Sequence, residues 1–294
     1  MSHIRLEKKT RSATAALLIL LAFGAFMVAS QPALWAQSKP DTAQDPAGQK
    51  PKSQSNDRRK PKPRSRRDPA GFYMGRQIAD VMSWEGAEWL FRETRIEEEQ
   101  PEAMLNALKI PRGAIVADVG AGAGYHTIRM ARRVGPKGMV LATDLQPQML
   151  EMLKNNAREA GVSNIKPIRA TQSDTKLPDA KVDLILMVDV YHECSDPEAT
   201  LKGLLKALKP LGRLVLVEFR GEDPEVPIKP EHKMTLDQVR RELEPEGFVF
   251  KESLEFLPWQ HVIIFEKPAE TSHDTKQHPT QTRPGATNQK SKPQ

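Results

Sequence analysis

A single cysteine, Cys194, stands among the 294 residues. It excludes an intrachain disulfide framework and a cysteine-rich metal site, and it is neutral about compartment. No segment repeats itself. Neither a zinc-type ligand spacing nor a Ser-His-Asp order is present, and His232 stands alone in "KPEHKM" (Lys229–Met234), so no metal is expected. Two segments lack apolar residues. Residues 31–70 carry seven prolines and many Lys, Arg, Gln and Ser, with almost nothing apolar after Trp35; residues 268–294 are polar and without periodicity. Such segments bury too little apolar surface to offset their ordering entropy, so both are read as disordered. What remains, residues 71–267, has the size of one domain.

That domain also lacks an excess of positive charge. The whole chain has a net charge of +6, but residues 71–267 hold 26 Lys+Arg and 31 Asp+Glu, a net of −5, and the tails hold 18 and 7, a net of +11. The basic character belongs to the tails, above all to "RRKPKPRSRR" (Arg58–Arg67). A basic face for nucleic acid on the folded domain is therefore not expected. The basic linker is read as a solvated spacer, with contact to nucleic acid, or to an anionic membrane surface through residues 1–70, as the functional alternatives.

The N-terminus has the anatomy of an export signal. Arg5, Lys8, Lys9 and Arg11 precede the apolar run "ATAALLILLAFGAFMVA" (Ala13–Ala29), and Val28-Ala29-Ser30 is a plausible cleavage site. At 17 residues the run is also at the short limit of a membrane span, so residues 1–30 fit a cleaved signal or an uncleaved anchor. The positive residues before the run favour that end staying inside and the domain being exported, periplasmic or secreted, or held at the membrane.

Within the domain, apolar positions such as Ile78, Val81 and Met82 recur at helical spacing, so Met74–Leu108 is expected to be helical, with Pro101 restarting a helix. From residue 111 the pattern changes. Strands are expected at Ala114–Gly120, Gly138–Asp144, Ile165–Thr171, Val182–Val190 and Gly212–Phe219, with helices at Tyr125–Val134, Pro147–Ala160, Pro197–Leu208 and Thr235–Glu244. Two last strands, Phe248–Phe256 and His261–Glu266, are joined by Leu257–Gln260, too short for a crossover, and should pair antiparallel. The fold class is α/β, a doubly wound, mostly parallel sheet ending in an antiparallel hairpin.

In such sheets a ligand lies beyond the carboxyl ends of the strands. "VADVGAGAGY" (Val116–Tyr125) puts Gly120, Gly122 and Gly124 there, where bare backbone can approach a ligand. Asp144 follows 20 residues later, at the end of the next strand, placed to accept hydrogen bonds from both hydroxyls of a ribose. The loop is G-x-G-x-G, not the dinucleotide G-x-G-x-x-G, and no Walker-type G-K-[ST] is present. The acidic Asp118 just before it is awkward for a pyrophosphate and suits a ligand with an ammonium and a sulfonium.

With "VDLILMVDVYHE" (Val182–Glu193) and "LLKALKPLGRLVLVEF" (Leu204–Phe219) in order behind this loop, the chain over about Pro111–Lys267 resembles the class I S-adenosylmethionine-dependent methyltransferases, with small-molecule and ubiquinone/menaquinone types among the similar ones. The resemblance implies a seven-stranded Rossmann-like sheet, S-adenosylmethionine as cofactor and methyl transfer to a small-molecule acceptor. It implies that Gly120, Gly122 and Gly124 line the methionine part, that Asp118 faces its amino group, and that Asp144 holds the ribose with Leu145 beside the adenine. It gives Asp174 the adenine amino group, although Ser173 occupies the usual place, and puts Asp189 near the transferred methyl or the amino end. Competing readings are a nicotinamide-dependent oxidoreductase, which the loop spacing disfavours, and a binding module that keeps the pocket without catalysis.

Tyr125 and His126 open the first helix and are candidates for cofactor contact, with a solvated first-turn position as the alternative for His126. His192 and Glu193, just past the fourth strand, are the candidate general bases, needed where the acceptor is a protonated oxygen or nitrogen. Tyr191 is a candidate wall of the acceptor site. The alternative for His192 is a backbone hydrogen bond at the strand end. The aromatic stretch Met82–Phe91 is expected to bury Trp84, Trp89 and Phe91 in a core, with closure over the pocket as its functional alternative.

Overall fold

The computed structural model describes residues 68–269; the export-type N-terminus, most of the basic linker and nearly all of the C-terminal tail lie outside them. A two-stranded hairpin opens the chain, β1 (Phe72–Tyr73) and β2 (Arg76–Gln77). A 3₁₀ segment Trp84–Phe91 and two short helices follow, α1 (Arg95–Glu99) and α2 (Pro101–Ala107). The alternating part runs β3 (Ile115–Val119), α3 (Tyr125–Val134), β4 (Met139–Asp144), α4 (Pro147–Glu159), β5 (Ile165–Arg169), β6 (Val182–Val188), α5 (Pro197–Ala207) and β7 (Leu208–Arg220). The chain ends with β8 (Lys233–Met234), α6 (Leu236–Leu243), β9 (Val249–Leu254) and β10 (Gln260–Glu266).

The sheet order is β5-β4-β3-β6-β7-β10-β9, with the short β8 also paired to β7. Strands β3 to β7 are parallel, with Val116 level with Val140 on one side and Leu184 on the other. Strand β10 runs antiparallel to both β7 and β9. The expected α/β sheet with a terminal antiparallel hairpin is what the chain forms.

Side-chain alternation explains why the central strands are apolar throughout. Ile185 and Met187 of β6, Leu214 and Leu216 of β7, and Ile263 and Phe265 of β10 pack with Leu201 and Leu204 of α5 and Val239 and Leu243 of α6. Their neighbours Leu184, Leu186, Val215, Val217, Val262 and Ile264 point the other way, onto Leu105 of α2 and Met130 and Val134 of α3. A strand covered on both faces has no position where a polar residue is favoured. Helix starts follow local chemistry: Pro147 and Pro197 stand in the first turns of their helices, the Asp196 carboxylate accepts from Ala199 N–H, and the Thr235 hydroxyl accepts from Gln238 N–H.

Residues 74–108 correct the expectation of a helical segment. Met74 and Gly75 both have positive φ, 49° and 91°, and form a two-residue hairpin turn. Ala79 N–H then donates to His192 O (3.1 Å) and Met82 N–H to the Glu193 carboxylate (3.3 Å), which draws this stretch alongside the end of β6. Ile78, Val81 and Met82 thus follow tertiary partners, not a helix axis. The helical reading fails over residues 74–83 and holds from Trp84, as a 3₁₀ segment and two short helices, with Pro101 starting α2 as expected. Among the described residues no helix is long and apolar enough to cross a membrane.

Candidate active site

The β3–α3 loop is bent over the end of the sheet by its own backbone. Gly120 N–H and Ala121 N–H both donate to Thr143 O (2.9 Å each), and Gly122 N–H donates to Asp144 Oδ2 (2.9 Å). Gly120 has φ 72°, and a Cβ there would lie 2.5 Å from Val190 Cγ2. Gly122 has φ 52°, and its missing Cβ leaves room for Leu90 at 3.0 Å. Both positions exclude side chains on conformation and on space. A cleft opens beside the loop, lined by Gly120, Gly122, Asp144 and Leu145 on the cofactor side and Asp189, Val190 and Glu193 toward β6.

Asp144 closes β4 and accepts Gly122 N–H at one oxygen and Gln146 N–H (2.8 Å) at the other. A carboxylate has about four lone-pair sites, so room remains for two sugar hydroxyls. Burial raises its pKa, against the pull of the Gln146 and Gly122 N–H groups. Asp118 is more deeply buried and does not line the cleft. It accepts from the Thr127 hydroxyl (2.5 Å), and burial pushes its pKa up to about 6. Its charge thus acts from beneath the loop. Gly124, with φ 93°, sits outside the cleft lining, at the start of α3, where a Cβ would come within 3.0 Å of Leu153 Cγ.

Arg95, which belongs to no sequence motif, reaches the cleft from α1. It is 4% exposed and donates to Glu99 Oε2 (2.7 Å) and Leu90 O (2.8 Å), and it lies 3.2 Å from His126 Nε2. Burial and the Arg95 charge hold the His126 pKa well below its ordinary value, so the ring is neutral and Nε2 accepts. Its Nδ1 has no partner among the described residues. His126 is thus neither a solvated residue nor part of the cleft lining: it holds Arg95. Tyr125 lies outside the cleft as well, under the Arg95 guanidinium (4.2 Å to the ring centre) and edge-on to Phe91.

The end of β6 gathers acids. Asp189 has φ 53°, and both its oxygens accept from Gln260 Nε2 (2.9 and 2.7 Å). Burial, then the charges of Glu99 and Glu218, raise its pKa well above the usual range. Burial likewise pushes Glu193 up to about 7 and Cys194 up to about 12, which leaves the thiol inert. His192 turns away from the cleft lining. Its Nδ1 lies 2.6 Å from Glu218 Oε2 and its Nε2 lies 3.1 Å from His232 Nδ1. Burial opposes the charged ring, but the Glu218 carboxylate outweighs it and the pKa is raised.

Three expectations need correction here. Tyr191 does not wall the acceptor site: it is fully buried, and its hydroxyl donates to Glu242 Oε2 (2.7 Å), which Arg76 also binds. Ser173 and Asp174 do not reach the cleft: both are exposed and Asp174 pairs with Lys176 (2.6 Å), while Thr171, Gln172 and Thr175 supply the lining. Trp84, Trp89 and Phe91 are not core: they are 41%, 47% and 44% exposed, while Ala87 and Leu90 pack inward beside Met149. His232, alone in the sequence, meets His192 in space. Leu145 and Glu193 do lie in the cleft.

A glycine cradle with a terminal acid on the next strand, over a sheet of order 3-2-1-4-5 with an antiparallel end, defines a Rossmann-like domain of the S-adenosylmethionine-dependent methyltransferase class. The family model described as "Methyltransferase domain" matches residues 110–276, more than half of the chain, and the protein belongs to that family. The ubiquinone/menaquinone biosynthesis C-methyltransferase UbiE of Vibrio vulnificus is 32% identical over 108 residues, 36% of this chain and 42% of the relative. That of Idiomarina loihiensis is 30% identical over 111 residues, 37% and 44% of the two chains. The chain thus matches less than half the length of these curated relatives. A SAM dependent methyltransferase from Aquifex aeolicus superposes with a TM-score of 0.60 at 26% identity, covering 63% of this chain and 99% of that one.

Proposed function

We propose that this protein transfers a methyl group from S-adenosylmethionine to a small-molecule acceptor. The observation that carries the reading is Asp144, half-satisfied by the Gly122 and Gln146 N–H groups and facing a cradle that admits no Cβ. The residues present fit the cofactor. Asp144 would hold the ribose, Leu145 the adenine edge, and Gly120 and Gly122 the methionine part. Arg95 uses one N–H toward each of Glu99, Leu90 and His126, so two of its five remain for the methionine carboxylate. Thr143, fully buried in the cleft wall, has a hydroxyl without a partner among the described residues.

The bound cofactor supplies an electrophilic methyl on a sulfonium leaving group. The protein's part is alignment of the acceptor at near-attack distance. Glu193 is the candidate base that reaches the cleft, and His192 acts behind it. The acidic surroundings of Asp189 and Glu193 favour the positive sulfur electrostatically. The test is formation of S-adenosylhomocysteine by the purified protein with a metabolite extract. Turnover that disappears in Asp144→Ala supports the reading; cofactor binding without turnover in any extract leaves a binding module in its place.

The N-terminal run Ala13–Ala29 supports a domain that is exported or held at a membrane. Protease added to intact cells tests this: digestion of the domain is expected, and full protection contradicts it.

A further inference from the structure

We propose that His192, Glu193 and His232 bind a divalent transition-metal ion behind the end of the cleft where Glu193 lines it, with zinc the best match to the donor set. The inference shares Glu193 and His192 with the methyl-transfer reading but does not rest on the cofactor cradle at Gly120, Gly122 and Asp144. One ligand atom from each of the three residues falls within 4.8 Å of the others. Two ligands about 2.1 Å from one metal, at angles between octahedral and tetrahedral, lie roughly 3.0–3.4 Å apart. The imidazole nitrogens of His192 and His232 already stand at 3.1 Å. Glu193, whose carboxylate accepts from Met82 N–H at 3.3 Å, brings a third ligand atom within 4.8 Å of these two.

The shell around these ligands supports the same reading. Glu218 is fully buried, fixed by the Tyr191 N–H (2.9 Å), and lies 2.6 Å from His192 Nδ1. With Nδ1 turned to Glu218, Nε2 is the ring nitrogen that faces His232. This is the carboxylate–histidine arrangement that orients metal-binding imidazoles. The three acids gathered here, Asp189, Glu193 and Glu218, are met by the Gln260 amide, by backbone N–H groups and by the His192 ring. Two imidazoles and one carboxylate suit zinc and its first-row neighbours, whereas magnesium and calcium prefer all-oxygen ligands. Glu193 lines the cleft, so a further oxygen ligand, water or an acceptor hydroxyl, enters from that side.

The test uses the full chain without a histidine tag, dialysed against chelator and titrated with zinc by calorimetry, with cobalt as a visible-absorbing substitute. The expected result is one ion per chain with cobalt bands of a low-coordinate site. His232→Ala, on a half-exposed turn, is expected to weaken binding at least 100-fold with an unchanged circular dichroism spectrum. Glu218→Gln is expected to weaken it 10- to 100-fold. Histidines at positions 3, 273 and 278 also lie in the chain, so zinc uptake that His232→Ala leaves unchanged overturns the proposal. Absence of uptake overturns it too, and the His192–His232 contact is then an N–H···N hydrogen bond. S-adenosylmethionine binding is measured on the same samples. Its loss with metal binding intact sinks the methyl-transfer reading alone; the reverse sinks only the metal site.

Discussion

The two ends of the cleft are built differently. The cofactor cradle comes from one stretch of about 30 residues, β3 through β4, whose parts are bonded to each other, Gly120 and Ala121 to Thr143 and Gly122 to Asp144, with Arg95 alone added from α1. The acceptor end is assembled from distant segments: Arg76 with Met82, His192 and Glu193, Glu218, His232 and Glu242, with the buried Tyr191 holding the last behind the cleft. A local unit can be read by spacing alone. A unit built on long-range contacts can change one wall at a time without disturbing the cradle, which suits a fold that keeps one cofactor and varies its acceptor.

Substitutions can break or sharpen this contrast. The largest effect is expected at Gly120→Ala, where the new methyl collides with Val190 and φ is 72°; a loss of about 3 kcal/mol in denaturant unfolding follows. Adding Val190→Ala should recover part of it, since only the clash is relieved. Next, Asp144→Ala should weaken S-adenosylmethionine at least 100-fold in calorimetry, with circular dichroism unchanged.

Asp118→Asn should stabilise the fold while weakening the cofactor. The folded pKa of Asp118, about 6, lies above its ordinary 3.8, so ionisation at pH 7 opposes folding. The gain on removing that charge is at most about 3 kcal/mol at pH 7. It should shrink as pH falls from 6 toward 4, where the wild-type carboxyl protonates in the folded state. A thermal melt at both pH values checks the sign. Arg95→Lys keeps the charge and loses the planar fork; roughly tenfold weaker cofactor binding is expected, with no larger loss for a cofactor analogue lacking the carboxylate. Smallest is Tyr191→Phe, which removes the bond to Glu242: about 1 kcal/mol of stability, with methyl transfer retained. A collapse of turnover there would return Tyr191 to the acceptor wall.

The same contrast sets what could be read from sequence. The parallel strands, α3 to α6 and the final hairpin were legible because period-2 and period-3.6 patterns, prolines in first turns and short connections are local signals. The glycine loop and Asp144 were legible because their spacing is the site. The start of Met74–Leu108 was not: its apolar spacing up to Met82 mimics a helix, while the chain there follows His192 O, Glu193 and the Met74-Gly75 turn. Arg95 carries no motif; the weak signal was an arginine four residues before a glutamate in an acidic stretch. His232 was separated from His192 by 40 residues, and only the pairing of β8 with β7 brings the two turns together. The exposed Trp84, Trp89 and Phe91 show that an aromatic stripe alone does not identify a core.

A crystal structure of the protein grown with S-adenosylmethionine tests the central claim most directly. Both ribose hydroxyls are predicted on the Asp144 carboxylate, the sulfonium beside Gly120 and Gly122, and the amino-acid carboxylate at Arg95. A diphosphate in the cradle, or an adenosyl ligand bound away from Asp144, would contradict it.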